Sequence, residues 1–402
     1  MPQSAGARPG VAVKPKPDAR HEVTRTAQDE QTNLGADDLL GQALARQNMA
    51  RAWQRVKANK GSAGVDGRTV QATGEYLKTA WADIRAALLA GRYRPEPVRP
   101  VGIPKPGGGT RELGIPTVVD RLIQQALLQV LQPLIDPTFS AHSHGFRPGR
   151  SAHGAVLQAQ QYVAAGCTTV VDVDLEKFFD RVNHDILMDR LAKRIKDKQV
   201  LRLIRRYLQA GVMAHGVCSQ RDEGTPQGGP LSPLLANVLL DEVDRELERR
   251  GHKFVRYADD CNVYVNSRRA GQRVLGALRA CYAKLALKVN EAKTAVAPVW
   301  GRKFLGYCMR PAKAGPKLAV APQALDKLRE RVRQLTRRSR GRSLEQVAAD
   351  LRAYVPGWKA YFQLAQTPTV MQALDRWLRH RLRAVQLAQW KRGPTAYRAL
   401  RR

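Results

Sequence analysis

The amino-acid sequence predicts an α+β protein: a mixed body of helices and strands, followed by a C-terminal region made of helices only. Two observations indicate a sheet. Apolar and polar residues alternate over 168–175, as in a half-buried strand, and two further strand-like runs, 253–256 and 261–265, lie on either side of a tight bend. Apolar residues at helical spacing over 322–335 and 368–385 indicate the helical region.

The N-terminal part of the chain is predicted to be a flexible extension followed by two helices. Residues 1–45 contain prolines, many small residues and charges of both signs, a composition typical of segments without a packed core. We expect ordered structure to begin near Leu44, with helices over 44–58 and 75–90. The glycine-rich stretch 60–67 between them lacks the Gly-Lys-Ser/Thr ending of an ATP-binding loop, so a simple turn is predicted.

A β-hairpin is predicted over 101–113, with a run of glycines at its tip. It carries Lys105 on one arm and Arg111 on the other. Two facing cations repel each other unless an anion lies between them, and a triphosphate group supplies such an anion. Lys105 and Arg111 are therefore predicted to bind the phosphates of a nucleotide.

Carboxylates at two places in the predicted sheet indicate a metal site. Asp172 and Asp174 leave the same face of one strand, because side chains alternate along a strand. Asp259 and Asp260 lie at the bend, where a solvated turn is the ordinary alternative. Converging carboxylates repel each other unless cations lie between them, and oxygen-only ligand sets favour Mg²⁺ or Mn²⁺ over Zn²⁺. Two such ions, roughly 3.5–4 Å apart, activate an attacking 3′-hydroxyl and neutralise a leaving pyrophosphate.

Three histidines surround a Gly-Phe-Arg-Pro-Gly-Arg motif at 145–150. No Cys or further His at metal-ligand spacing accompanies His142, His144 and His153, so ordinary surface histidines are predicted. Arg147 and Arg150 of the motif are predicted to contact phosphates near a template.

A helix is predicted to begin at Ser232 and Pro233, which suit the N-cap and the first helical position. Gln227 lies in the Gly- and Pro-rich turn before it. The apolar side of this helix is predicted to contain Leu234, Leu235, Val238, Leu239 and Val243.

The composition predicts a polyanionic partner. The 402-residue chain has a formal net charge of +33, and residues 313–402 combine 21 Lys or Arg with only 5 Asp or Glu. Five single cysteines without a Cys-x-x-Cys pair argue against a zinc ribbon or a disulfide framework, and they favour a reducing cytoplasm. The sequence contains neither an apolar run of membrane-spanning length nor the hydrophobic stretch of a signal peptide.

Three helices are predicted in the C-terminal region. The first begins at Pro322, with its apolar residues on one side and most arginines elsewhere. Residues 343–346 form a capping box that starts the second helix, which is predicted to end at Pro356 and Gly357. The third is predicted to begin at Thr367.

Eight motifs resemble, in order, the successive blocks of group II intron reverse transcriptases. They are IPKPGGGTR (103–111), LGIPTVVDR (113–121), GFRPGRS (145–151), DLEKFFD (174–180), PQGGPLSP (226–233), YADD (257–260), EAKT (291–294) and FLGY (304–307). The stretch 356–362 resembles the maturase region of the same family. The resemblance implies a right-hand polymerase, with fingers and an antiparallel palm sheet over 46–312 and a helical thumb or maturase (X) domain over 313–402.

The resemblance also implies roles for single residues. Asp174, Asp259 and Asp260 would be catalytic and hold two Mg²⁺ ions, with Mn²⁺ as the alternative, while Asp172, the rival by strand parity, would be structural. Lys293 would donate a proton to pyrophosphate. The implied nucleotide-binding residues are Lys105, Arg111, Gln227 and Phe179, whose ring would exclude a ribose 2′-hydroxyl. The implied nucleic-acid contacts are Arg147, Arg150, Arg329, Arg333, Arg337 and Arg340, and residues 304–307 would grip the primer.

A protein of this kind would be an RNA-dependent DNA polymerase that binds group II intron RNA, assists its splicing and copies it into cDNA during retrohoming. Its expected partners are intron RNA, a DNA or RNA primer and dNTPs, in the bacterial cytoplasm and near RNA or the nucleoid. Two alternatives stay open: a domesticated defence- or CRISPR-associated reverse transcriptase, and a splicing-only maturase, against which the three intact aspartates speak. Many relatives continue into a DNA-binding segment and an HNH endonuclease; this sequence ends at Arg402, so a primer made elsewhere is expected.

Overall fold

The computed structural model describes residues 38–104, 110–214, 217–219, 223–225, 228–337, 341–390 and 393–400. Lys105, Gln227 and Arg340 lie outside the described residues, as does most of the predicted N-terminal extension, and the side chain of Arg111 is not described either. The predictions made for these residues stay predictions.

The chain alternates helices with short strands and ends in helices. The helices are α1 (Leu39–Ala43), α2 (Arg46–Ala58), α3 (Val70–Leu89), α4 (Val118–Ile135), α5 (Ala152–Ala164), α6 (His184–Ala192), α7 (Lys198–Gln209), α8 (Ser232–Arg249), α9 (Arg268–Lys284), α10 (Pro322–Leu335), α11 (Leu344–Tyr361), α12 (Pro368–Gln389) and α13 (Gly393–Leu400). The strands are β1 (Arg99–Pro104), β2 (Thr110–Ile115), β3 (Thr169–Val173), β4 (Val212–Ala214), β5 (Val217–Ser219), β6 (Lys253–Tyr257), β7 (Asp260–Val265), β8 (Ala295–Pro298), β9 (Lys303–Phe304), β10 (Tyr307–Arg310) and β11 (Lys317–Val320).

The palm sheet is a four-stranded antiparallel sheet in the order β6-β7-β3-β8. Valines fill β3 and β7, because β-branched side chains suit a pleated surface buried on both sides. The β3–β7 register pairs Thr169 with Val265 and ends at Val173 with Cys261. Helices α8 and α9 bury the sheet in the main core, where Leu239, Phe254 and Val263 have 0% exposure.

Three smaller sheets accompany the palm sheet in the described residues, and one of them is the short antiparallel pair β4–β5. The predicted hairpin forms from β1 and β2, and its described pairs run from Arg99 with Ile115 to Pro104 with Thr110. Strands β9, β10 and β11 form the third sheet. Because β10 pairs with β11, the domain boundary predicted between residues 312 and 313 falls inside this sheet.

The thumb region (residues 322–400) has its own small core of Leu328, Val332, Leu335, Val347, Leu351 and Val385. A second apolar cluster joins it to the palm, because Phe362 of the thumb region packs there with Tyr307 and Val156. The predicted apolar side of α10 and the capping box of Ser343 with Gln346 are both confirmed.

Three predicted helix boundaries were wrong. Helix α11 continues through Pro356 to Tyr361, because Val355 and Trp358 on either side of the proline pack against the thumb core. Ordered structure begins before Leu44, since Leu39 and Leu40 of α1 are buried in the main core. The N-cap of α8 is Leu231 rather than Ser232, although the predicted apolar residues of that helix are all buried.

Candidate active site

The turn between β6 and β7 presents two of the predicted carboxylates. Antiparallel pairing runs from Lys253 with Tyr264 to Tyr257 with Asp260, so only Ala258 and Asp259 form the turn. Ala258 adopts a left-handed conformation with φ +57°, which is unfavourable for a residue with a Cβ atom. The predicted bend is therefore a tight hairpin whose backbone is held in a strained shape at the predicted site.

Strand β3 delivers the third carboxylate next to this turn. One residue beyond the pair Val173–Cys261, the register brings Asp174 opposite Asp260. The backbone at Asp174 is fixed on its other side, because its carbonyl accepts a 2.8 Å hydrogen bond from the amide of Asn290. The sheet thus brings Asp174, Asp259 and Asp260 to one end of its strands, as the sequence predicts. These three residues are called the carboxylate edge below.

Asp172 has a different environment, although it leaves the same face of β3. Its carboxylate lies 2.8 Å from Nη2 of Arg302. With the amide of Asn262 oriented so that Nδ2 donates, that side chain gives it a further bond of 3.0 Å. These partners support the structural role predicted for Asp172.

A cleft of about 850 Å³ opens over the carboxylate edge. Its lining includes Asp174, Asp259, Phe179, Asn290 and Lys293. The Nζ atom of Lys293 lies 3.4 Å from Oδ2 of Asp174, and the lysine side chain remains 69% exposed. An ammonium group therefore stands at the rim of the cleft, open to a ligand.

The carboxylates affect one another electrostatically. Surrounding protein and then the negative charges of Asp259, Asp174 and Asp172 raise the pKa of Asp260 to about 6, although this residue keeps contact with solvent. Such mutual repulsion fits an oxygen-rich site that a divalent cation would relieve. Among the described residues, however, no three His, Cys, Asp or Glu side chains stand close enough to form a preassembled cage for one ion.

Phe179 separates two cavities. It lies in a short 3-10 turn, Phe178–Asp180, and its ring meets that of Phe178 edge-on at 5.0 Å. Both phenylalanines contribute to the wall of the carboxylate cleft, but Phe178 is buried in the core, whereas Phe179 is only partly buried and also lines a second cleft of about 510 Å³. The turn therefore directs one ring inward and exposes the other to ligand-sized space.

The structure disagrees with the phosphate contact predicted for Arg147. A guanidinium has five N–H donors, and all five are used within the protein. Nε and Nη2 bind the carboxylate of Asp136, Nη2 also binds its carbonyl, and Nη1 binds the carbonyls of Ser140 and Ser143. Arg147 therefore anchors its own loop, while Arg150 is exposed and donates to the carbonyl of Ala141.

One of the three histidines, His144, is buried, contrary to the prediction, and His142 is half-buried. His144 is buried and its Nε2 lies 2.8 Å from Oε1 of Gln158. Nδ1 of His142 lies 2.8 Å from Nε2 of the same glutamine and 2.9 Å from the hydroxyl of Tyr162. These histidines belong to a polar network between α5 and β6.

The thumb arginines keep their predicted accessibility. Arg333 and Arg337 are exposed, and the guanidinium of Arg333 lies 6.0 Å from the ring of Trp377. The Arg329 side chain is 41% exposed and pairs with Asp326 on the same helix. Helix α10 therefore presents basic groups to solvent on the side opposite its apolar residues.

Sequence reasoning did not identify Arg256, which precedes the carboxylate turn and has 0% exposure. The signal was present in the sequence: an arginine inside a short apolar strand must be paired when the strand is buried. Its partners, however, are not visible from the local sequence.

Comparison with known proteins gives two family matches. Residues 103–309 match the family of reverse transcriptases (RNA-dependent DNA polymerases), and residues 325–402 match the maturase-specific domain of group II introns. The first match covers about half of the chain.

Two relatives each match about half of the chain. Protein YkfC of Escherichia coli (strain K12) is 38% identical over 208 residues, which are 50% of this chain and 55% of that protein. The group II intron-encoded protein LtrA of Lactococcus lactis subsp. cremoris is 37% identical over 206 residues, 51% of this chain and 34% of that protein. A telomerase structure from Candida albicans, in complex with a fragment of telomeric RNA, superposes with a TM-score of 0.45 at 14% identity, covering 72% of this chain and 60% of that one. The matched segment thus spans about half of YkfC and a third of LtrA.

Proposed function

The chain belongs to the reverse transcriptase family, and we propose that it is an RNA-dependent DNA polymerase that also binds group II intron RNA, assists its splicing and copies it into cDNA during retrohoming. The observation that carries the proposal is the end of the sheet at which β3 and the β6–β7 turn bring Asp174, Asp259 and Asp260 close together, with Asp174 and Asp259 lining the cleft.

Asp174, Asp259 and Asp260 would hold divalent metal ions, Mg²⁺ or Mn²⁺. The fit rests on the donor set, which contains only carboxylate oxygens, and on the raised pKa of Asp260, which follows first from burial and then from the negative charges of Asp259 and Asp174. When bound, two such ions would supply activation of the primer 3′-hydroxyl and charge neutralisation at the triphosphate. The carboxylates are held in place by the sheet, and they would fix the positions of the bound ions.

Lys293 is proposed to protonate the leaving pyrophosphate. Its ammonium group is the proton source, and it lies at the rim of the cleft, 3.4 Å from Asp174. The carboxylate holds the lysine side chain near the site. A separate role is proposed for Lys105 and Arg111 of the hairpin and for Gln227 of the loop before α8: they would bind the incoming nucleotide.

Phe179 is proposed to select the sugar. Its ring lines the carboxylate cleft five residues after Asp174, where a bulky group beneath the sugar would collide with a ribose 2′-hydroxyl. Steric exclusion of this kind discriminates between nucleotides and contributes little to the chemical step.

The splicing role rests on the thumb region. Residues 325–402 match the maturase-specific domain, and Arg333 of α10 and Arg337, two residues beyond the end of α10, are exposed. A dense basic surface releases counterions when it binds RNA phosphates, so it supports binding of a structured RNA. A domesticated polymerase would share the palm and would not need to recognise intron RNA through this region.

Primer extension on an RNA template, with and without Mg²⁺, tests the polymerase proposal. We expect Mg²⁺-dependent DNA synthesis by the wild type. The matched pair Asp174→Asn and Asp172→Asn sharpens the test, because both residues leave the same face of β3 and only Asp172 is bound to Arg302. Asp174→Asn should abolish synthesis and Asp172→Asn should retain most of it; the reverse ranking would exchange their roles.

Affinity for group II intron RNA, compared with an unrelated structured RNA of equal length, tests the splicing proposal. We expect the protein to bind the intron RNA clearly more tightly at physiological salt. We also expect the intron to splice faster when the protein is present. Equal affinity for both RNAs, together with normal DNA synthesis, would favour the domesticated polymerase instead.

A further inference from the structure

Arg256 is a fully buried cation directly beside the predicted metal-binding turn. It lies on β6 with 0% exposure and forms a two-point ion pair with Asp244 of α8, which is also fully buried. Nε lies 2.8 Å from Oδ1 of Asp244, and Nη2 lies 2.6 Å from Oδ2. Two parallel bonds fix the orientation of the planar guanidinium, which a single bond would not do.

The remaining nitrogen of Arg256 extends to the turn itself. Nη1 donates to the carbonyl oxygen of Ala258 at 2.9 Å and to Oδ1 of Asn237 at 2.8 Å. Ala258 is the residue with φ +57°, and its carbonyl belongs to the peptide bond that leads into Asp259. Arg256, a buried and rigidly held donor, therefore sets the orientation of that peptide bond.

A second contact closes the turn from the other side. Nδ2 of Asn237 donates to the carbonyl of Gly145 at 2.9 Å, and a Cβ atom on Gly145 would lie only 2.2 Å from the amide nitrogen of Ala258. The backbone of residue 145 therefore packs directly against the turn. Asn237 connects this backbone to Arg256, so one network holds the turn on two sides.

This network holds the turn in a strained conformation. A left-handed alanine persists only where surrounding contacts determine it, and here the contacts come from Arg256 and Gly145. A carboxylate that binds metal must be held within about half an ångström of its productive position. The strain at Ala258 thus has a use: it aims the following side chain, Asp259, at the cleft.

We propose that Arg256, supported by Asp244 and Asn237, is a positioning residue that fixes the Ala258 peptide and thereby sets the affinity of Asp259 and Asp260 for divalent metal. This inference rests on the proposed polymerase function and adds residues that do not touch the substrate. It separates Arg256 from Arg147, the other buried arginine of the described residues, whose bonds go to Asp136, Ser140 and Ser143 and not to the turn.

Arg194 offers a matched control. It pairs with Asp241, a fully buried acid on the same helix α8, less than one turn before Asp244. The described bonds of Arg194 do not reach Ala258 or Gly145. Arg256→Lys and Arg194→Lys therefore make the same chemical change in two ion pairs of α8, and only the first removes a donor from the turn.

Binding of Mn²⁺, followed by the electron paramagnetic resonance of the free ion, measures the effect without any reaction. We expect Arg256→Lys to weaken Mn²⁺ binding about tenfold or more and to raise the half-saturating Mg²⁺ concentration of primer extension to a similar extent. Affinity for the RNA–primer duplex should not change. Arg194→Lys should leave both metal measurements at the wild-type value.

Wild-type metal binding in a folded Arg256→Lys protein would overturn the inference, and so would an equal shift in Arg194→Lys. If Arg256→Lys does not fold, the double variant Arg256→Met with Asp244→Leu replaces the ion pair by apolar side chains of similar size, a change that buried pairs often tolerate. Weakened Mn²⁺ binding by the folded double variant supports the inference, and unchanged binding refutes it. Wild-type protein that binds Mn²⁺ but makes no DNA would contradict the proposed function and not the positioning role.

Discussion

Arginine serves opposite purposes in the palm and in the thumb region. In the palm, Arg256 and Arg147 are buried, and every bond they make in the structure is to a carboxylate, an amide or a backbone carbonyl of the protein. In the thumb region, Arg333 of α10 and Arg337, just beyond the end of that helix, are exposed to solvent. The sequence makes no distinction between these side chains, since all are arginines of a strongly basic chain.

The difference follows from the cost of burying a charge. A guanidinium inside the palm is tolerable only when its donors are paired, so it becomes a rigid structural element. An exposed guanidinium keeps its hydration and its mobility, and it exchanges counterions for phosphates at little cost. The palm should therefore respond to mutation through geometry, and the thumb region through salt-dependent binding.

The largest effect should come from the carboxylate edge. Asp259→Asn keeps the size of the side chain but removes a charge that metal ions require, so DNA synthesis should fall by several orders of magnitude. Intron RNA affinity and splicing assistance should stay near wild type, because the thumb surface is unchanged. Primer extension and RNA titration of the same preparation check this. Synthesis above about a tenth of the wild-type rate would show that Asp259 is not a metal ligand.

The next effect concerns Asp120, a buried acid of helix α4. Burial raises the pKa of Asp120 to about 6, although it accepts bonds from Tyr93 and Thr117. A raised folded-state pKa gives stability that is complete below the unfolded value of 3.8 and is lost as pH rises through about 6. The wild type should thus lose about 3 kcal/mol of unfolding free energy between pH 4 and pH 7 from this group. Asp120→Asn should remove that slope in urea denaturation across the window, and identical slopes would contradict the assignment.

A smaller effect should distinguish the thumb surface from general basic charge. Replacing Arg329, Arg333 and Arg337 with Gln should weaken intron RNA binding. The slope of log affinity against log salt should become shallower by about 0.7–0.9 for each phosphate that the variant no longer neutralises. Replacing three exposed lysines near α6 and α7 with Gln removes the same charge elsewhere; they are Lys193, Lys196 and Lys198. Equally weakened binding in both triple variants would mean that RNA binding follows total charge and not the thumb surface.

The smallest effect on overall rate should come from Phe179→Ala. Removing the ring opens space beside the sugar, so the variant should incorporate ribonucleotides much better relative to deoxynucleotides, with a modest loss of rate. Phe178→Leu is the control: Phe178 is buried in the core, so this variant should keep the wild-type ratio of ribo- to deoxynucleotide incorporation. Competition between ribo- and deoxynucleotides in primer extension measures the ratio. An unchanged ratio in a folded Phe179→Ala protein would assign the ring to packing alone.

The sequence by itself determined the features that depend on short-range pattern. Strand alternation and the bend fixed the positions of Asp174, Asp259 and Asp260, because a two-residue period and a tight turn follow from local backbone geometry. For the same reason, the spacing of apolar residues was sufficient to predict the buried sides of α8 and α10. The order of the eight motifs along the chain then indicated the family.

Tertiary structure decided the partners of charged and polar groups. Asp172 is bound by Arg302, 130 residues away, and this contact separates it from Asp174 on the same face of one strand. Burial turned Arg147 into an anchor and His144 into a network residue, and packing carried α11 through Pro356. Arg256 gained its role only when α8 crossed beneath β6. The physical reason is common to all of them: the free energy of a polar group depends on what surrounds it after folding, and distant segments of the chain supply those surroundings.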